Sequence, residues 1–176
     1  MGITGIIILI IVIAAGWFYI HTVSKVTKLD GAARNLAGDI DTLIWDRNHI
    51  FDTITEILQK KEISLDEDMT KKLALALGMP PSLQMANHTE LHRRRNELDK
   101  ILKEHPELKE DEELKPLIER FDTLRTELIG TAAKHNAAVR DFNAYIEKPF
   151  ASFIAARKTK GARSFFSYEL AEVSAK

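Results

Sequence analysis

From Gly2 to Ser24 the chain carries no Asp, Glu, Lys or Arg, and its centre, Ile6 to Ala15, is continuously apolar. No other stretch restricts the fold so strongly. About 20 helical residues cross a hydrocarbon slab roughly 30 Å thick, so the run is long enough to span a bilayer as one helix. A cleaved signal peptide is the competing reading, and it fits less well. The apolar region is long, no Lys or Arg precedes it, and Trp17, Phe18, Tyr19 and His21 stand where a cleavage site needs small residues. Trp17 and Tyr19, with Phe18 between them, instead suit an aromatic belt at headgroup level. Lys25, Lys28 and Arg34 follow at once. By the positive-inside bias they predict a single-pass protein of the cell membrane, its short N-terminus outside and the rest in the cytoplasm.

The 176 residues leave about 150 beyond the anchor, enough for one core. Lys and Arg number 25 against 26 for Asp and Glu, so there is no basic field to recruit nucleic acid. The absence of cysteine removes disulfides, thiolate nucleophiles and Cys-ligated metals. No cofactor is expected.

Apolar positions after the span recur at three- and four-residue steps, from Val26 and Leu29 through Ile40 and Leu43 to Ile54 and Ile57, which predicts one helix from the membrane to about Lys60. Ser64 and Glu67 have capping-box spacing and predict a second helix, ended by Gly78 ahead of Pro80 and Pro81. A third runs over 82–104 and stops at His105 and Pro106. The last starts near Asp111, follows a seam from Leu114 through Phe121, Leu128, His135 and Phe142 to Ile146, and closes at Pro149. The fold class predicted is all-α. The transmembrane helix continues into an elongated antiparallel bundle of three long layers, the middle one broken, plus a short C-terminal helix. The division is anchor 1–24, bundle 25–149 and amphipathic tail or short helix 150–176.

The segment from His105 to Ala155 resembles the LemA family of bacterial membrane proteins. The likeness rests on the opening His105-Pro106-Glu107-Leu108-Lys109, on the dipeptides His135-Asn136 and Phe142-Asn143 in place of two Tyr-Asn pairs, and on Pro149. Leu43, Arg47 and Ile50 resemble the family's first-helix pattern, with His49 where that pattern has Asp and Asp52 where it has Pro. The resemblance implies one anchor, a cytoplasmic helical bundle and no established catalytic activity. It further implies an association with membrane organisation or with membrane proteases.

Candidate sites are few. His88 and His92 lie four apart, but Glu90 is out of register for a zinc-protease motif and no third ligand is spaced to join them, so a solvated helix start is the better reading. Arg93, Arg94 and Arg95 read as a solvated face paired along the helix with Glu90 and Asp99. Arg47 on the first seam, with His135, Asn136 and Asn143 on or beside the last, is expected to form a buried polar layer fixing register. Phe150, Phe153, Phe165, Phe166 and Tyr168, interleaved with Arg157, Lys158, Lys160 and Arg163, are candidate contact residues. Because the last helix is expected to end at the far tip of the bundle, their partner should be another subunit and not lipid.

The function predicted is therefore a non-enzymatic, membrane-anchored scaffold. It would act through homo-oligomerisation and contact with membrane proteins. The alternatives are an adaptor of a membrane protease, and a ligand sensor using the polar layer.

Overall fold

A computed structural model describes residues 2–76, 78–159 and 161–166. Among them the fold is all-helical: α1 (Ile3–Lys60), α2 (Glu67–Thr70), α3 (Pro81–Glu104), a 3₁₀ turn (Pro106–Glu110), α4 (Leu114–Ile146) and α5 (Pro149–Lys158). The chain forms two compact units, one from residues up to Asn35 with Asn136–Ser164, the other from Leu36–His135 with the residues from Phe165.

Helix α1 is unbroken for 58 residues. Its first part is long and apolar enough to cross a membrane, and none of that apolar window is covered by other parts of the chain. Further along, Ile40, Ile44, Phe51, Ile54 and Leu58 are fully buried, at alternating three- and four-residue steps interrupted only by Arg47. They form the core of the second unit with Leu91, Leu98 and Leu102 of α3 and Leu114, Phe121 and Leu128 of α4. The end of α1 is a Schellman motif: Ile63 donates its N–H to Leu58 O (3.1 Å) and Glu62 to Gln59 O (3.0 Å). Glu62 holds a left-handed φ of 62°, where glycine is the usual residue.

The second helix departs from expectation. Only Glu67–Thr70 are helical, and Asp66, not Ser64, holds the N-cap position, without a side-chain capping bond. Beyond Thr70 the chain is non-helical, and Leu73, Leu75 and Met79 turn inward while Ala74 and Ala76 face out. This alternation is the period of an extended segment. Its backbone finds partners in distant side chains: Asn87 Nδ2 donates to Ala74 O (2.9 Å), Arg94 Nη2 to Lys71 O, and Gly78 N–H to Asp41 Oδ2 (2.8 Å). Gly78 has φ +76°, a conformation open to glycine at little cost.

The middle layer is therefore not two helices end to end. Asp41 meets Gln84, Arg47 meets His88, and the Arg94 guanidinium lies 5.8 Å from the Phe51 ring, so α3 rises beside α1 in the same direction. Phe51 against Phe121 (5.8 Å) and Lys61 against Asp111 (2.6 Å) show α4 running the opposite way. Asp111 starts α4 as expected, its Oδ1 accepting the N–H groups of Glu113 and Leu114 at 3.0 and 3.1 Å. Pro149 ends the run of α4 and occupies the first turn of α5.

In the first unit, α5 packs Ala151, Ile154 and Ala155 against Val26 and Phe142. The expectation that the last helix ends at a far tip is overturned. Lys25 Nζ lies 4.9 Å above the Tyr145 ring, and the Phe150 ring is 5.2 Å from that of Phe18, beside the apolar span.

Glu62→Gly should raise stability by about 0.5–1 kcal/mol, because it relieves the Cβ clash of a left-handed residue at some gain in unfolded-state entropy. Denaturant titration in detergent micelles measures it.

Candidate functional site

Two places gather side chains of interest, one in each unit. In the second unit polar groups interrupt the core. Asp41 accepts from Gln84 Nε2 at 2.6 Å as well as from Gly78. Arg47 is fully buried, its Nη1 3.3 Å from His88 Nδ1 and its guanidinium 4.4 Å from the Phe121 ring centre. An arginine only donates, so Nδ1 of His88 is the acceptor in this pair. The ring of Phe166 covers His88 at 6.2 Å. Among the described residues, Nε and Nη2 of Arg47 have no hydrogen-bond partner. Burial, then repulsion from Arg125, pushes the Arg47 pKa down to about 10, against an opposing pull from Asp122. The group stays charged at neutral pH.

The expected polar layer of Arg47, His135, Asn136 and Asn143 does not form as one layer. Arg47 sits one turn from Phe51, which faces Phe121, whereas His135 lies 14 positions, about 21 Å, further along α4. His135 is buried and Asn136 half-buried. Asn143 works in the other unit: it donates from Nδ2 to Arg163 O and accepts the Arg163 N–H on Oδ1, both at 2.9 Å. The Arg163 Nε in turn donates to Asp30 Oδ1 at 2.7 Å. Asn143 thus clamps the chain after α5 and adds nothing to the Arg47 cluster.

The reading of α3 also needs correction. His88 is no solvated helix start, being only 1% exposed, and Arg94 is no part of a solvated face, also at 1%. Of the three arginines, Arg93 is partly exposed and pairs with Glu90 (2.8 Å), Arg94 reaches Glu90 (3.1 Å) and the backbone of Lys71, and Arg95 forks onto Asp122 (2.9 and 2.8 Å) and also meets Asp99. The signal was present in the sequence: Gln84, His88, Leu91, Arg94, Leu98 and Leu102 follow one helical stripe, and their polarity disguised it. Among the described residues no three His, Asp or Glu side chains are grouped to hold a metal ion. The hydrogen bonds of Asp41 to Gly78 and Gln84, and of Arg47 to His88, fix the register of α3 and of Gly78 against α1.

The second place lies at the foot of the first unit. Trp17, Phe18 and Tyr19 are exposed, as are Lys25 and Lys28. Phe150 joins them, tilted on Phe18 at 5.2 Å and edge-on to Tyr19 at 6.4 Å. Phe153 is 53% exposed beneath the guanidinium of Arg157, 4.3 Å away. Of the remaining tail aromatics, Phe165 is exposed and Phe166 buried in the other unit. Tyr168 and Lys160 lie outside the described residues.

No protein-family model matches the chain, and no curated protein or solved structure matches it either.

Replacing Arg47 by Met should stabilise the fold by about 1–2 kcal/mol, because an apolar side chain of similar length removes a buried, half-partnered charge. Denaturation midpoints of Arg47→Met and the parent measure it. The Glu90 carboxyl is held below its usual 4.5, first by the hydrogen bond from Arg93 and then by Arg94, against a desolvation that raises it. A depressed carboxylate stabilises the fold above its unfolded pKa, and that stability is lost as pH falls through the folded value. Melting temperature should therefore drop on acidification below pH 4.5, and Glu90→Gln should lower it at pH 7 while flattening that drop.

Proposed function

We propose that the chain is a membrane-anchored, non-enzymatic scaffold of the LemA kind. In this reading Ile3–Ile20 crosses the bilayer and the helical bundle stands on the cytoplasmic side, where it acts through self-association and protein contacts in membrane organisation. One observation carries the reading: the helix whose N-terminal apolar window is left uncovered by the rest of the chain is the same helix whose later residues Ile40, Ile44, Phe51, Ile54 and Leu58 are fully buried. One helix thus supplies both the apolar window and a stripe of the packed core, which suits a structural role. Lys25 and Lys28, exposed just past the span, support the cytoplasmic side. Trp45 supports contact with another molecule, since it is 53% exposed and stacks flat on His49 at 5.7 Å, outside the span.

The chain has no cysteine, so Trp45→Cys supplies a single crosslinking position. In isolated native membranes treated with copper phenanthroline, which catalyses oxidation of the two thiols by dissolved oxygen, a disulfide-bonded dimer should form through residue 45, and the parent in mild detergent should have a mass above one 19.9 kDa chain. A strictly monomeric protein with no partner captured by crosslinking would defeat the scaffold. A monomer bound to a membrane protease would turn the reading into that of an adaptor.

A further inference from the structure

The residues from Ile3 to Ile20 rise about 27 Å as a helix, close to the thickness of a hydrocarbon slab. On that scale Phe18 and Tyr19 lie at the boundary between acyl chains and headgroups. Phe150 packs on both rings, at 5.2 and 6.4 Å, so the turn joining α4 to α5 comes down to the same depth. Helix α5 is two-sided. Ala151, Ile154 and Ala155 are used up against Val26 and Phe142. The opposite side presents Phe150, Phe153 and Arg157, at i, i+3 and i+7, with the two phenyl rings 41% and 53% exposed. Two large apolar rings held open beside the exit of a membrane helix are costly in water and favourable in a bilayer interface.

Charge agrees with that placement. Lys25, Lys28, Lys148 and Arg157 are exposed on the segments that carry these rings, with Glu147 the acidic residue in the turn itself. The ammonium groups of Lys25 and Lys148 lie 4.9 and 5.1 Å from the Tyr145 ring, which adds an aromatic of the interfacial type at the same level. A basic rim on an apolar face is the composition that binds an anionic leaflet.

We propose that the α4–α5 turn and the outer face of α5 form a second membrane contact, with Phe150 and Phe153 inserted at the headgroup boundary and Lys148 and Arg157 on the phosphates of anionic lipids. The proposal rests on Ile3–Ile20 being embedded. It makes the protein two-footed: a transmembrane helix and, beside it, an interfacial wedge that senses the charge of one leaflet.

Single-cysteine variants of the full chain, Ile10→Cys, Phe153→Cys and Lys109→Cys, are spin-labelled and reconstituted into vesicles of phosphatidylcholine alone or mixed in equal parts with phosphatidylglycerol. Relaxation by oxygen against an aqueous nickel reagent reads depth. The label at 10 should be deep in both, and the label at 109 aqueous in both. The label at 153 should lie at the interface in the mixed vesicles and shift toward water in phosphatidylcholine. Adding Lys148→Gln and Arg157→Gln should move it, in mixed vesicles, to its phosphatidylcholine depth. If 153 matches 109 while 10 remains deep, the second contact is overturned and the anchor stands. A water-exposed label at 10 overturns both. Equal depth at 153 in both lipids, or no effect of removing the charges, overturns the recognition of anionic lipid.

Discussion

Helix α1 carries two side-chain patterns in succession, those required of a helix that passes, as proposed, from a hydrocarbon slab into water. Inside a hydrocarbon slab every backbone N–H and C=O must be bonded within the segment, which a helix does without help. The side chains there can be uniformly apolar because nothing else needs to be packed. Past Tyr19 the same helix must show one apolar stripe and one polar face, and Val26, Ala33, Ile40, Ile44, Phe51, Ile54 and Leu58 provide the stripe. No turn, glycine kink or proline marks the change. The rest of the chain is placed by what that stripe offers: leucines of α3 and α4 along most of it, and a hydrogen-bonding arginine where it is interrupted.

Much of this was legible from sequence, because its causes are local. Uncharged length marks the part of α1 that is long and apolar enough to cross a membrane, Pro81 and His105-Pro106 bracket α3, and Asp111 and Pro149 bracket α4. The stretch between α1 and α3 was misread for a physical reason. Ser64 and Glu67 satisfy the spacing of a capping box, but Leu73, Leu75 and Leu77 alternate, and the hydrogen bonds that keep this segment extended come from residues such as Asp41 and Asn87. Local propensity cannot reveal hydrogen-bond partners on other elements.

That one misreading propagates. Ten extended residues cover about 33 Å, as much as a helix of about 22. A chain that descends outside helix over the described residues 71–76 and 78–80 has room to rise again in α3. In the first unit the residues after Pro149 lie beside Phe18 and Tyr19. The same non-locality hid part of the site. Arg47 was visible as an interruption of its seam, whereas His88, Gln84 and Arg94 had the right spacing but the wrong polarity to be recognised as core.

The segment from Lys71 to Gly78 inverts the usual relation between sequence and tolerance. In a helix or a strand the backbone bonds to backbone, and exchanging one side chain leaves those bonds in place. Here the carbonyls of Lys71 and Ala74 and the N–H of Gly78 are held by the side chains of Arg94, Asn87 and Asp41. Substitutions at outward positions such as Lys72 or Ala76 touch none of those bonds, while a change at Asn87, far along the chain, acts as a cut in the main-chain bonding of a segment it does not belong to. Mutational sensitivity for this region is thus stored elsewhere in the protein, on α1 and α3.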